Sequence, residues 1–179
     1  MRSVPVAARV QHRSEILPAF EAHWQNGTRI MHLRSATAPD LATIEALLVA
    51  NDLPTVGVAE HLTNFVVAVE PSGTIACGGV EYYADFALMR SIVVAKGVRG
   101  VGLGKTIVAH LLAACRHRAV RSVVLLTTTA EHYFAGLGFA PAAREEVPLP
   151  LLASSQFRGV CPASATTMLR VLKVEARDH

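Results

Sequence analysis

Residues 87–119 read ALMRSIVVAKGVRGVGLGKTIVAHLLAACRHRA, and the order of residue types along them decides the fold. The run 88–94 is apolar and β-branched, the composition of a buried strand. Gly97, Gly100, Gly102 and Gly104 then crowd a turn. Beyond it Leu103, Ile107 and Leu111, with Val108, Leu112 and Cys115, recur at spacings of three and four, the period of an amphipathic helix. Strand, glycine turn and helix start make a phosphate cradle. Glycine lets backbone N–H groups approach an anion, and the helix N-terminus adds unpaired donors and the positive end of a dipole. Lys105 in the first turn opposes that dipole, and a bound anion would offset the conflict. A purely structural turn is the alternative.

Spacing separates three glycine-rich motifs. A Walker A loop, G-x-x-x-x-G-K-[ST], finds its end in Gly104-Lys105-Thr106, but its first glycine would fall on Arg99. The dinucleotide pattern G-x-G-x-x-G fits Gly100 and Gly102 and then meets Lys105 instead of glycine. R-x-x-G-x-G fits, as Arg99, Gly102 and Gly104. Between a strand and a helix, this pattern resembles the pyrophosphate loop of the GNAT superfamily of N-acetyltransferases, which bind acetyl-CoA.

The rest of the chain is consistent with one α/β domain. Among 179 residues, 51% are hydrophobic and 17% charged, which argues against disorder and allows a sizeable core. No stretch offers the ~18 uninterrupted apolar residues of a membrane span. The net charge of +3 suits a polyanionic cosubstrate, with no clustered basic stripe that would point to nucleic acid. Cys77, Cys115 and Cys161 are odd in number and share no metal-type spacing, so a reduced, cytoplasmic protein without a metal site is expected. A homodimer is left open.

Residues 1–28 read as an N-terminal arm without fixed order, in which Leu17, Phe20 and Trp24 could form one apolar stripe; an upstream start, with Met31 as the functional beginning, is the alternative. The domain is expected over 29–179. Residues 29–35 alternate as a first strand. Thr37-x-x-Asp40 is a capping pattern before a helix with Leu41, Ile44, Leu47 and Leu48 on its buried face. Residues 52–64 are a loop with one short helix, and 65–70 and 74–83 form a hairpin. Residues 123–129 are a strand after which Thr128-x-x-Glu131 caps a short helix to 137, stopped by Gly138. Two more strands flank an irregular middle in 139–172.

Further segments, LPTVGVAEHL, LLTTTA, YFAGLGF and SSQFRGVCPASA, resemble the arsenic-resistance N-acetyltransferases within that superfamily, over roughly residues 29–172. The resemblance implies the GNAT fold: a mixed, mostly antiparallel sheet of about six or seven strands with flanking helices and a central splayed pair. It implies acetyl-CoA as cosubstrate and direct attack by a small amine in a ternary complex. One departure stands out. Counting back from Gly138-Phe139, the position of the family's usual tyrosine acid holds Phe134. Tyr133 is one residue earlier, rotated ~100° around a helix, and is expected to point elsewhere. Water, a threonine of 127–129 or a relocated tyrosine is left to protonate the thiolate.

The expected cofactor contacts are Arg99, Gly100, Val101, Gly102, Gly104 and Lys105 at the pyrophosphate, backbone at Ile92 and Val94 along the pantetheine arm, and Thr128 and Phe134 near its end. Glu81 is the candidate base for deprotonating the acceptor amine, or a solvent-facing strand residue. Arg90, inside an apolar strand, requires an acidic partner or an anionic ligand: it binds an anionic substrate group, or it pairs with Glu81 or Asp85. Ser91 should sit on the opposite face from Arg90. His61 is a candidate for substrate binding, or a surface histidine. Cys161 is expected to line the acceptor pocket with Phe157 and Arg158. Besides an N-acetyltransferase, the chain could be a non-catalytic acetyl-CoA-binding module, given Phe134. A nucleotide-binding protein, suggested by the near-miss Walker loop, lacks an acidic residue for Mg²⁺ at the end of 123–129.

Overall fold

The computed structural model describes residues 22–26 and 29–173. Among them the sheet has eight strands, in the spatial order β1 (Ala22–Asn26), β2 (Arg29–Ser35), β3 (Phe65–Glu70), β4 (Gly73–Tyr83), β5 (Phe86–Val94), β6 (Ser122–Thr127), β8 (Thr166–Val171) and β7 (Ala140–Pro141). Neighbours run antiparallel except β5 and β6, which are parallel. The mixed, mostly antiparallel sheet is the one expected. It exceeds six or seven strands because β1, inside the segment read as an arm, pairs with β2, and because the two-residue β7 adds an edge. The remainder of the expected arm, with the stripe of Leu17, Phe20 and Trp24 side chains, lies outside what is described.

Helices cover both faces. α3 (Leu103–His117) buries Leu103, Ile107, Val108, Leu111, Leu112 and Cys115 against Val80, Ala87 and Met89 of the central strands. Each such apolar side chain contributes roughly 1.5–3 kcal/mol, so packing fixes where the helix begins. α1 (Leu41–Val49) and α2 (Val58–His61) lie on the other face, where Ile44, Leu48 and Val58 meet Phe65, Val67, Cys77 and Val93. Further along that face, Leu88 and Val124 are covered by Val147 and Leu151 from the irregular stretch before β8. α4 (Glu131–Ala135) packs Phe134 into the α3-side core.

Local chemistry sets the element ends. Asp40 accepts from the Thr37 N–H at 2.7 Å and hydroxyl at 2.8 Å, and from both Arg34 terminal nitrogens at 2.7 and 2.9 Å. The Arg34 guanidinium, above all, holds the Asp40 carboxyl well below the usual carboxylate range. The expected Thr128 cap of α4 is not formed. The hydroxyl of Thr127 accepts the Ala130 N–H at 3.0 Å instead, and Glu131 accepts from Thr166 at 3.2 Å.

Two irregularities at the sheet centre open a cleft. β5 and β6 pair only at Phe86–Ser122, Ala87–Val123 and Leu88–Val124, although β5 runs on to Val94 and β6 to Thr127. The two strands splay beyond Leu88. On the other side of β5, Cys77 pairs with Val93 but Gly79 pairs with Arg90, so β5 carries one extra residue in a β-bulge. Ser91, at φ +58°, occupies it in the left-handed region, which L-residues seldom adopt.

Candidate active site

The cleft between the splayed strands has a volume of about 1070 Å³ and is lined by residues from β5, α3, α4, the end of β6 and two distant loops. Its wide end is the glycine turn. Gly100 and Gly102 have φ of +86° and +84°, which glycine adopts without steric cost. Gly102 is the N-cap of α3, so the first-turn N–H groups of that helix lie at the cleft wall without helical acceptors. Thr106 closes the turn, its N–H reaching the Gly102 carbonyl at 3.1 Å. The exposed Arg99 donates to the Val94 carbonyl at 2.9 Å and to the Asn51 side chain at 2.7 Å, which ties the turn to the end of α1. This is a backbone cradle with cations at its rim, suited to a pyrophosphate.

Of the residues expected at the cofactor, Ile92, Val94, Arg99, Gly100, Gly102, Gly104, Lys105, Thr128 and Phe134 all line the cleft. The Val101 side chain packs on the α3-side core, and the contact expected of Val101 is through its backbone N–H. The aromatic pair on α4 corrects the expectation for Tyr133. Phe134 is 7% exposed and stacks edge-on against Phe139 and Tyr133. Tyr133 lines the cleft with its hydroxyl beside Gly104, where an added Cβ would come within 2.7 Å of it. α4 is only five residues long, and the tyrosine side chain spans the gap to α3 across the cleft.

At the other end lies a buried polar cluster. Arg90 and Glu81 form an ion pair at 2.6 Å, with side chains only 3% and 1% exposed. The second Glu81 oxygen accepts from Tyr83 and Ser154, each at 2.7 Å. Burial pushes the Glu81 carboxyl up, but hydrogen bonds from Ser154, Arg90 and Tyr83 and the Arg90 charge outweigh it, leaving it below the ordinary glutamate value. For Arg90 the geometry is that of the internal pair, facing Glu81 and not Asp85, and Glu81, buried within that pair, is not the solvent-facing strand residue that was its alternative. Glu81 does not line the cleft, and both its oxygens are engaged. His61 stands behind it, Nε2 3.9 Å from the carboxylate, and is not at the cleft wall either. Arg90 lines the cleft, but its Nε donates to Ser91 Oγ at 3.2 Å and its Nη2 to the Pro54 carbonyl at 3.4 Å. That contact corrects the expectation for Ser91. The bulge cancels the alternation, and Ser91 Oγ lies on the side of Arg90, not opposite it.

Cys161 lines the cleft, and its companions there are Gln156 and Val160 rather than Phe157 and Arg158. Phe157 packs toward Leu88 and Val124 in the separate apolar cluster, and Arg158 donates to the Leu152 carbonyl. Gln156, Ser154, Pro54 and Asn51 carry no spacing signal in the sequence. They are brought in by tertiary packing alone. Among the described residues no group of three His, Cys, Asp or Glu side chains is placed to hold a metal ion, and no helix is long and apolar enough to cross a membrane.

Comparison with known proteins agrees with this arrangement. Residues 61–141, from the end of α2 to β7, match the family model described as an acetyltransferase (GNAT) domain. The fold is that of N-acetylglutamate synthase from Neisseria gonorrhoeae in complex with coenzyme A and N-acetyl-glutamate, at a TM-score of 0.68 and 20% identity over 80% of this chain and 35% of that one. Rv2747 from Mycobacterium tuberculosis, in complex with CoA and a second ligand, superposes at 0.65 and 23% identity, covering 79% of this chain and 99% of that one. A GNAT-family acetyltransferase from Staphylococcus aureus Mu50 gives 0.67 at 14% identity, over 80% and 99%. This chain thus spans about a third of the Neisseria synthase and nearly all of the other two. The match to a GNAT acetyltransferase domain is confined to residues 61–141, and the described chain shares the fold of these structures.

Proposed function

We propose that this chain is an N-acetyltransferase that moves the acetyl group of acetyl-CoA onto a small amine by direct attack in a ternary complex. The observation that carries the reading is the glycine cradle at the start of α3, opening directly into the gap between β5 and β6. Arg99, Lys105 and the N–H groups of 101–105 would hold the pyrophosphate, and the unpaired edge of β5 near Ile92 and Val94 would take the pantetheine arm as a short added strand. Bound acetyl-CoA supplies an activated acyl group. The protein's own part is to orient the two reactants, a contribution that can account for several kcal/mol of barrier lowering.

The acceptor enters from the side of Arg90, Gln156 and Cys161. Two engaged oxygens make the ionised Glu81 an organiser of this wall rather than a base in contact with the amine, and ordered water is then the proton acceptor. Phe134 has no hydroxyl to give the leaving thiolate, so Tyr133 and Thr128 are the nearby proton donors. The likeness of LLTTTA and CPASA to arsenic-resistance acetyltransferases supports including aminoalkyl arsenicals among the acceptors to be tried. Three free thiols, Cys77, Cys115 and Cys161, suit the cytoplasm as the place of action.

Calorimetric titration with acetyl-CoA, CoA and ATP, followed by a CoA-release screen of amines, tests the reading. Acetyl-CoA binding with turnover on an amine is expected. Acetyl-CoA at 100 times its Kd should raise stability by about 2.7 kcal/mol, while ATP should not. Tight ATP binding without CoA binding would overturn the reading, and acetyl-CoA binding with no turnover on any amine would favour a binding module.

A further inference from the structure

Gln156 is buried at the acceptor end of the cleft, 4% exposed, and its Nε2 has no hydrogen-bond partner. A buried amide donor left unpaired is costly, and such groups in folded proteins are few and call for a reason. The rest of the side chain is held. Its Oε1 accepts the Cys161 thiol at 3.1 Å, and its backbone N–H donates to Ser154 Oγ at 3.2 Å, which in turn donates to Glu81. Burial pushes the Cys161 thiol up, so at neutral pH it carries its proton and serves as the donor of that bond. The amide oxygen faces the sulfur, and the amide nitrogen is the end left over.

The neighbouring guanidinium already directs three of its five N–H groups into the protein. Arg90 uses Nη1 on Glu81 and Nε on Ser91, and Nη2 on Pro54. The pair is neutral overall, so this wall offers a directed N–H rather than a strong positive field.

On the acetyltransferase reading, we propose that Gln156 orients the acceptor: its Nε2–H group binds a carbonyl or carboxylate oxygen carried by the amine substrate, and the Cys161 thiol holds the amide in that sense. The substrate class is an amine with an sp² oxygen near the nitrogen, such as an α-amino acid or its amide. A plain alkylamine would leave the Nε2–H group unpaired in the closed complex. Sites built to hydrogen-bond a substrate reject analogues that lack the partner atom.

The test uses the full chain, with the twenty L-amino acids, their amides and the corresponding decarboxylated amines as acceptors in a CoA-release assay. Wild type should prefer the oxygen-bearing amines. Turnover of acids and amides alike assigns a carbonyl oxygen in general, and of acids alone a carboxylate. In Gln156→Leu the ratio of kcat/KM between each oxygen-bearing amine and its plain counterpart should fall roughly 10- to 100-fold, through KM. Acetyl-CoA affinity should hold, and the melting temperature of the apo protein should stay level or rise, because an unpaired donor has been removed. Gln156→Met, closer in length, guards against misfolding, and Cys161→Ala should lose part of the preference. Equal turnover of plain amines by wild type, an unchanged ratio in both Gln156 variants, or a drop in apo stability would overturn the proposal. So would failure of every amino acid and amide while acetyl-CoA still binds. Failure to bind acetyl-CoA would instead overturn the acetyltransferase reading beneath it.

Discussion

Arg90→Met isolates the central ion pair. The substitution keeps an unbranched side chain of similar reach and deletes the charge that faces Glu81 at 2.6 Å. With the two side chains 3% and 1% exposed, solvent does little to screen the loss. Removing one partner of a buried pair costs about 3–5 kcal/mol. Tyr83 and Ser154 still donate to Glu81, which places the expected loss near the lower end, about 3 kcal/mol. For a domain of this size that is a fall of roughly 6–12 °C in Tm.

The pH dependence is the sharper readout. In the wild type the Glu81 carboxyl titrates below its ordinary value, so the pair contributes stability above the unfolded glutamate pKa of about 4.3 and loses it on acidification. Without Arg90, burial dominates and the carboxyl should titrate above its unfolded value. The variant then loses stability as pH rises, and its penalty should be smaller at pH 5 than at pH 8. Glu81→Gln is the contrast. It leaves a buried guanidinium that cannot be neutralised, so its penalty should persist at pH 5. The double variant Glu81→Leu/Arg90→Met should recover much of the loss, since buried pairs are often replaceable by apolar residues. Urea unfolding at both pH values measures all four proteins. A loss below about 1 kcal/mol, or an Arg90→Met penalty equal at both pH values, would refute the reasoning. A raised KM confined to anionic acceptors would restore the anion-binding role for Arg90.

At the cofactor end, Gly102→Val, which forces a branched residue to φ +84°, should weaken acetyl-CoA binding more than tenfold by calorimetry while the apo protein stays folded. Arg99→Ala, which frees Asn51 and removes a rim cation, should weaken binding less and flatten its dependence on salt. Tyr133→Phe, which removes the hydroxyl beside Gly104, should lower acetyl-CoA affinity, whereas Phe134→Tyr should leave it unchanged and leave turnover equal or higher. Burial pushes the Cys77 thiol up to about 12 and the Cys115 thiol up to about 11, so native-state alkylation followed by mass spectrometry should mark Cys161 first.

The glycine cradle was legible in the sequence because backbone builds it. Glycine at 100, 102 and 104 after an apolar run states the local conformation directly, and the helix that follows carries its own period. The buried polar cluster at the other end was not. Glu81 meets Ser154 across 73 positions of sequence, and Gln156 arrives on a segment of irregular turns whose residues show no period. Arg90 announced that it must be paired but could not name the partner, since Glu81 and Asp85 were both near in sequence and only strand register separates them. Tyr133 misled for a related reason. A 100° step tells which way a side chain leaves its helix, not how far a tyrosine can reach once the next helix lies across a cleft.

Ser91 joins the two ends. Strict alternation along β5 would place Leu88, Arg90, Ile92 and Val94 on one face. Leu88 does pack on the α1 side, with Val147 and Leu151, but Ile92 and Val94 pack on the α3 side, and Val93 faces α1. The extra residue at the bulge reverses the parity between Arg90 and Ile92. Leu88 and Arg90 therefore lie on the side of the buried polar cluster and Ile92 and Val94 on the opposite side, and the backbone between them borders the gap left by β6. Nothing in the residue type of Ser91 marks it for φ +58°. The conformation is imposed by the pairing of Cys77 with Val93 on one side and Gly79 with Arg90 on the other, with Phe65 packed where a larger residue at Gly79 would sit. A bulge held this way costs of order 1–3 kcal/mol. It persists because β3, β4 and both helix layers are already fixed around it, and the strain falls at the point where the two substrates are proposed to meet.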